Sequence, residues 1–293
     1  MIFRTIKPNE FDAWVQLCAD GFAQPPTEFR EHFVNDPHAD YDGVFVACDG
    51  DKMVSTVRVF RREIYLNGQK IKMGGIGEVC TLKEYRRQGL SSDLLRMSID
   101  YMNYNDMPVS MLFTGVNGHY LKHGWFTVSR RFHSLAPLAK WGMSSQRQGG
   151  FQLRKPTIND TESLVSLYAS SNSKYNCMLV RGKEYWERWV SHSINNQAVI
   201  ESNGEIIAYL EYGINGDKIF FCEYTGDKDF MLTAFSMIGG TELINVPDVL
   251  TNNFSSENYT MMLRLNKPFE GVDSVGKLAA LAAESMFFVT DGY

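Results

Sequence analysis

The sequence has no Cys-x-x-Cys pair: its five cysteines, Cys18, Cys48, Cys80, Cys177 and Cys222, are odd in number and widely spaced. A disulfide framework is therefore not expected, and the thiols read as reduced and mostly buried. The N-terminus lacks a basic segment followed by an apolar one, and no apolar run approaches membrane-spanning length. No membrane partner is expected, and the cytoplasm is the expected location. Positive charge is not in excess, the formal net charge being −5. Non-specific nucleic-acid binding needs a basic surface, so no nucleic-acid partner is expected either. What the chain does have is an ordinary globular composition, 44% hydrophobic and 22% charged, over 293 residues. That length allows two domains with a core each, and the composition is compatible with a homo-oligomer.

The most informative stretch runs from Val79 to Ser91, where an apolar strand enters an Arg/Gly turn and a helix follows at once. Leu90, Leu94, Met97 and Tyr101 recur at helical spacing, with Met102 widening the stripe, which predicts a helix from about Ser91 to Met102. The first turn of a helix has free N–H groups and a partial positive charge, so it is a natural anion seat. Arg86 and Arg87 add full charges just before it, and Gly89 lets the backbone approach a bulky phosphate. The stretch reads as a pyrophosphate site; on its own, an Arg-Arg pair there reads equally well as a solvated turn. Further on, Tyr120-Leu-Lys-His-Gly-Trp125 follows the strand-like run from Val109 to Phe113.

Arg-x-x-Gly-x-(small) after one strand, then Tyr-x-x-x-Gly-aromatic after the next, resembles the GCN5-related N-acetyltransferase (GNAT) superfamily. The resemblance implies that the turn Arg86, Arg87, Gln88, Gly89, Leu90, Ser91 and Ser92 holds the pyrophosphate of acetyl-CoA. It implies that backbone groups around Val79, Cys80 and Thr81 pair with the pantetheine arm, with Gly115 and Val116 completing the cofactor contacts. It makes Tyr120 the acid that protonates the departing thiolate; the bland alternative is a tyrosine packed at a strand–helix corner. One departure is Ser91, where the family usually has Gly or Ala; serine is small and can donate to a phosphate.

The chain also repeats itself. Phe3, Lys7 and Pro8 are echoed by Phe151, Lys155 and Pro156 at an offset of 148. A helix-like stretch follows each opening, at Phe11 to Cys18 and at Ser163 to Ala169. Each half then shows strands joined by tight turns, at Asp49-Gly50 and Asn67-Gly68 in one and Asn203-Gly204 and Asn215-Gly216 in the other. The expected fold is α/β (α+β), two tandem GNAT-like units with mixed central sheets flanked by helices. Residues 1–142 form the unit expected to bind acetyl-CoA, 143–150 a linker, 151–270 a degenerate second unit, and 271–293 a tail. Degeneracy is read from Thr225-Gly-Asp-Lys-Asp229, where two aspartates stand in place of two arginines and would repel a pyrophosphate.

An active first unit followed by a silent second one is similar to the enhanced-intracellular-survival acetyltransferases, a GNAT branch. The resemblance covers most of residues 1–270 and is strong around 76–126. That branch adds a third domain, expected here to be absent or a remnant, and its aromatic-ended C-terminus looks like Leu281 to Tyr293. By this resemblance the terminal carboxylate of Tyr293 takes the amine proton, with Glu78 in reserve. The apolar run Met286 to Val289 prefers burial and predicts a docked tail.

Two further features have bland alternatives. His119 and His123 lie four apart, but with no adjoining Glu and no third ligand a metal site is not expected. Thr27 to Asp42 interleaves Glu28, Glu31, Asp36, Asp40 and Asp42 with Phe29, Phe33 and Tyr41, which would suit a cationic amine or simply form a solvated face. The expected activity is acetyl-CoA-dependent N-acetylation of a primary amine on a small or cationic acceptor. Direct attack is expected because no cysteine or serine is placed as an acyl carrier. A relative with another acyl donor or acceptor, and an acyl-CoA-sensing or partner-binding module without turnover, are the competing readings.

Overall fold

The computed structural model describes residues 1–135, 150–251, 256–288 and 291. The first half runs β1 (Ile2–Thr5), α1 (Phe11–Phe22), α2 (Pro26–Asn35), β2 (Val44–Asp49), β3 (Lys52–Leu66) and β4 (Gln69–Thr81). It continues with α3 (Leu90–Tyr104), β5 (Val109–Phe113), α4 (Asn117–Leu121) and β6 (Phe126–Leu135). The second half runs β7 (Phe151–Arg154), α5 (Thr161–Asn172), α6 (Lys183–Arg188), β8 (Asn196–Ser202), β9 (Glu205–Asn215) and β10 (Lys218–Gly226). It closes with α7 (Met231–Ser236), β11 (Glu242–Pro247), α8 (Asp248–Thr251), β12 (Ser256–Leu265) and α9 (Val275–Ala282).

The hairpins form where the turn residues demand them. Asn67 and Gly68 have φ of 51° and 74°, and Asn203 and Gly204 have 52° and 82°. Positive φ at both central positions matches the right-handed twist of the flanking strands. The repeated openings are built alike too. Arg4 pairs with both oxygens of Glu10 (2.7 and 2.8 Å) and Arg154 with both oxygens of Asp160 (2.7 and 2.8 Å), each closing the corner between strand and helix. These equivalent pairs are 150 residues apart, which corrects the offset of 148 read from Phe3 and Phe151. Side-chain identity at two or three positions misled; the ion pair that closes the corner sets the true register.

One twelve-stranded mixed sheet runs through the molecule, in the order β1-β2-β3-β4-β5-β12-β6-β11-β10-β9-β8-β7. Among the described strand pairs only β4–β5 and β10–β11 are parallel. The halves exchange strands. β12 lies between β5 and β6, while β6 also pairs with β11. Each half therefore completes its sheet with a strand from the other, and the shared core joins Met111 and Val128 to Met261, Phe221 and Phe288. Helix α3 packs Leu90, Leu94, Leu95 and Met102 on one face of the first half, and α1 and α2 pack Trp14, Leu17, Phe29 and Phe33 on the other. Gly74 permits the close approach of α3, since a Cβ there would sit 2.2 Å from Met102 Sδ. All five cysteines are buried and outside any disulfide. Among the described residues no helix is long and apolar enough to cross a membrane.

Candidate active site

Strands β4 and β5 run parallel from Met73/Val109 to Ile76/Leu112, and there their ladder ends. Both strands continue past that point, so they part and leave the last backbone groups of β4 facing a cleft. On its other side β4 carries a bulge: Thr56 faces Cys80 and Arg58 faces Gly77, so Glu78 and Val79 lie opposite Val57 alone. Glu78 takes a φ of 51° there, a left-handed conformation uncommon for a residue with a Cβ. Bulges re-aim side chains and bend a strand, and this one sits where the cleft begins.

Beyond β4 the chain makes a short 3₁₀ turn (Lys83–Tyr85) and then the turn Arg86 to Gly89. Arg87 and Gly89 both have positive φ, 63° and 84°. Gly89 is the residue before α3 and no side chain caps that helix, so its first N–H groups face outward. Nothing lies within 4 Å of where a Gly89 Cβ would be, which leaves the approach open. Arg86 Nε donates to Thr81 O at 3.0 Å and is tied to its own strand, whereas Arg87 is exposed. Gln88 Nε2 reaches Glu84 O at 3.5 Å. Leu90 is buried in the core and can offer only its backbone. Gly115 and Val116 are exposed in the loop before α4, with Val116 N donating to Thr114 Oγ1 at 3.0 Å. The Cys80 side chain is buried and its thiol lies 3.6 Å from Leu17 O, so Cys80 too has only backbone for a ligand.

Helix α4 and the turn after it bring three side chains back to the start of α3. Ser91 Oγ lies 3.3 Å from His119 Nε2, and Ser92 Oγ lies 3.2 Å from His123 Nε2. Partial burial lowers the pKa of both rings; Lys122 adds to this at His119, and His119, Arg96, Lys122 and Arg264 add to it at His123. Two neutral imidazoles thus stand beside the anion seat. Between them Tyr120 is 6% exposed and packs edge-on to Trp125, with ring centroids 6.1 Å apart. Burial pushes its phenol pKa up to about 12, so the proton stays on at neutral pH. Its hydroxyl has no hydrogen-bond partner among the described residues.

Across the sheet a buried ionic cluster surrounds Glu78. Arg58 Nη1 lies 3.5 and 3.4 Å from the two Glu78 oxygens, while Arg58 Nη2 and Arg62 Nη1 each donate to Asp36 at 2.8 Å. Burial alone would raise the Asp36 pKa, but Arg62, Arg58 and the His38 amide outweigh it and hold the group below the usual range. His32 Nδ1 is 3.7 Å from Glu78 Oε1 with no hydrogen bond of its own. Its ring lies against Trp189, centroids 5.6 Å apart. The segment from Thr27 to Asp42, which could suit a cationic amine or form a solvated face, leaves Glu28, Glu31 and Asp42 exposed and buries Asp36. Asp36 is consumed by two arginines, Asp40 meets Arg61 and Tyr101, and Phe29 and Phe33 are core. The aromatic pattern there is the inner face of α2, set by packing on α1.

The tail docks as its apolar run requires. Met286, Phe287 and Phe288 are buried, and the Phe287 ring packs on Phe113, the last residue of β5, at 4.7 Å. Val289 and Tyr293 lie outside the described residues, as does most of the 143–150 linker. In the second half, β10 passes through a 3₁₀ turn (Lys228–Phe230) straight into the six-residue α7, with the Asp227 side chain accepting from Asp229 N at 3.0 Å. No turn comparable to Arg86–Gly89 precedes that helix.

Comparison with known proteins decides the lineage. Residues 3–128 match the family model described as an acetyltransferase (GNAT) domain. The N-terminal half belongs to the GNAT family. A search of curated protein sequences gives no match. Among solved structures the chain is similar to a GCN5-related N-acetyltransferase from Anabaena variabilis, with a TM-score of 0.73 at 14% identity over 91% of this chain and 73% of that one. Eis1 from Mycobacterium abscessus gives a TM-score of 0.68 at 12% identity, over 91% and 74%. Saccharomyces cerevisiae N-myristoyltransferase with bound myristoyl-CoA gives 0.59 at 12%, over 90% and 78%. At such identities these likenesses speak for the fold, which extends past the matched domain into the second half.

In the first half the contacts of Ser91 with His119 and of Ser92 with His123 bring the turn 86–92 beside the segment that carries Tyr120. Sequence reasoning missed His32, Arg58 and Trp189. His32 and Trp189 come from different halves, and no local pattern marks either. Arg58 sits in an alternating strand where an inward charge looks like an exposed one until Asp36 and Glu78 are placed beside it.

Proposed function

We propose that the protein is an acetyl-CoA-dependent N-acetyltransferase that moves the acetyl group to a primary amine by direct attack. The observation that carries this reading is the parting of β4 and β5 at Ile76/Leu112, with the uncapped start of α3 at one side and Tyr120 beside it. The residues fit the co-substrate. The turn is open at Gly89, Arg87 is unburied, and the first N–H groups of α3 suit a pyrophosphate. The free backbone edge of β4 suits the amides of a pantetheine arm, as in strand addition.

In this reading Tyr120 Oη holds a proton firmly and gives it to the leaving sulfur. The thioester supplies the activated acyl group. Tyr293 is proposed as the group that receives the amine proton through its terminal carboxylate, supported by the docking of Met286 to Phe288. An unshifted terminal carboxyl has a pKa of about 3.5, so its part is to orient and discharge the ammonium rather than to act as a strong base. Glu78, at the bulge, is the reserve. Release of free CoA thiol from acetyl-CoA, followed with a panel of primary amines, tests the reading. Amine-dependent release supports it; binding of acetyl-CoA with no release for any amine favours a sensing module.

A further inference from the structure

Arg130 stands in the middle of β6 with its guanidinium 5.1 Å from the ring centroid of Phe113 and 5.2 Å from that of Phe132. Its neighbour Arg131 pairs with Glu257, but no acidic side chain among the described residues pairs with Arg130. The Nε atom is shut off from solvent and has no hydrogen-bond partner. Burial without a counter-ion lowers its pKa to about 10. Leaving a cation in this state is costly, and proteins seldom do so without a purpose.

A cavity of about 360 Å³ lies against this side chain, walled by β6, α8 and the tail. Two more of its lining atoms are buried and without partners, Asp248 Oδ1 and Ser285 Oγ. A guanidinium Nε, a carboxyl oxygen and a hydroxyl thus line one space, each without a hydrogen-bond partner. The cavity's position relates it to the cleft. Phe113, beneath the guanidinium, is the residue after Leu112, where β4 and β5 part, and Phe287, which lines the cavity, packs on it at 4.7 Å.

We propose that this cavity seats the acceptor through a carboxylate held by Arg130, so that the acceptor is a primary amine of amino-acid to dipeptide size bearing a carboxylate. The inference rests on the N-acyltransferase reading above and deepens it. A planar guanidinium fork matches a carboxylate with two parallel hydrogen bonds, and flanking rings keep it oriented and dry. Asp248 and Ser285 then serve the acceptor's other polar groups. Of the first half's early carboxylates, Asp36 is already taken by Arg58 and Arg62 and Asp40 by Arg61.

The test compares L-α-amino acids with their α-amides as acceptors, using acetyl-CoA and the wild-type, Arg130→Gln and Arg130→Lys proteins. The wild type is expected to prefer acid to amide by roughly 10²-fold in kcat/KM, a ratio that Arg130→Gln brings near one and Arg130→Lys partly keeps. Equal use of acid and amide by the wild type overturns the proposal. So does an unchanged ratio in a folded Arg130→Gln protein; if that variant does not fold, the ratio in Arg130→Lys decides. A Gly-Ser extension after Tyr293 is the further control: loss of acid preference there alone means that Arg130 serves the chain's own carboxylate, and the proposal falls. If no amine is acetylated, the activity reading has failed, and calorimetric titration of acid against amide in the presence of CoA still decides this one. Tighter binding of the acid supports it and equal binding overturns it.

Discussion

Asp291 is held by Arg181 across 110 residues of chain, its Oδ1 accepting from Arg181 Nε at 2.8 Å. The same guanidinium grips both oxygens of Glu223 at 2.9 and 2.8 Å, and all three side chains are fully buried. Tyr185 Oη also donates to Asp291 at 3.2 Å, while its ring lies 5.3 Å from the Arg62 guanidinium of the first half. The second half thus holds the tail whose preceding residues pack beside the β4/β5 cleft.

Arg181→Met leaves two buried carboxylates without their cation. A loss of about 3–5 kcal/mol in stability is expected, read as a lower urea midpoint at unchanged slope. A midpoint within error of wild type would mean that the cluster relaxes into water and does not fix the tail.

Arg87→Glu places a negative charge at the turn before α3. Acetyl-CoA binding should be lost in calorimetric titration while the melting temperature stays near wild type, because Arg87 is exposed. Unaltered affinity would remove the turn from the cofactor site.

Tyr120→Phe deletes only a hydroxyl that has no partner among the described residues. If that hydroxyl is the acid, kcat falls by roughly 10²- to 10⁴-fold with little change in cofactor affinity. Because burial raises its pKa to about 12, the wild-type rate should show no alkaline limb from Tyr120 until well above pH 10. Wild-type kcat in the variant would return Tyr120 to a packing role.

His119 and His123 have pKa values below the ordinary histidine value of 6.5, first through burial. The unfolded chain therefore binds more protons than the folded one as pH falls through 6.5, and stability falls with it. His119→Gln/His123→Gln should flatten that acid decline below about pH 6.5 in urea titrations. An equally steep decline would place its origin in other groups.

Local chemistry was legible in the sequence, and long-range exchange was not. Asn67-Gly68 and Asn203-Gly204 announced their turns because only such residues take positive φ cheaply, and Leu90 to Met102 announced α3 by its period. The insertion of β12 between β5 and β6 has no such signature: an alternating strand reads the same whichever neighbours it pairs with. The cluster of Glu78, Arg58, Asp36 and Arg62 was hidden for a similar reason, since each charge reads as solvated until its partner is brought to it. Arg130 was hidden in the same way, within an Arg-Arg pair in the middle of a strand.

Transfer of an isotopically labelled acetyl group from acetyl-CoA, followed by mass spectrometry of both acceptor and protein, tests the central claim most directly. The account predicts labelled N-acetyl acceptor in step with free CoA thiol, no label on the protein, and loss of both products in Arg87→Glu. Label retained covalently on the protein, or undiminished transfer by Arg87→Glu, would contradict direct attack at the β4/β5 cleft.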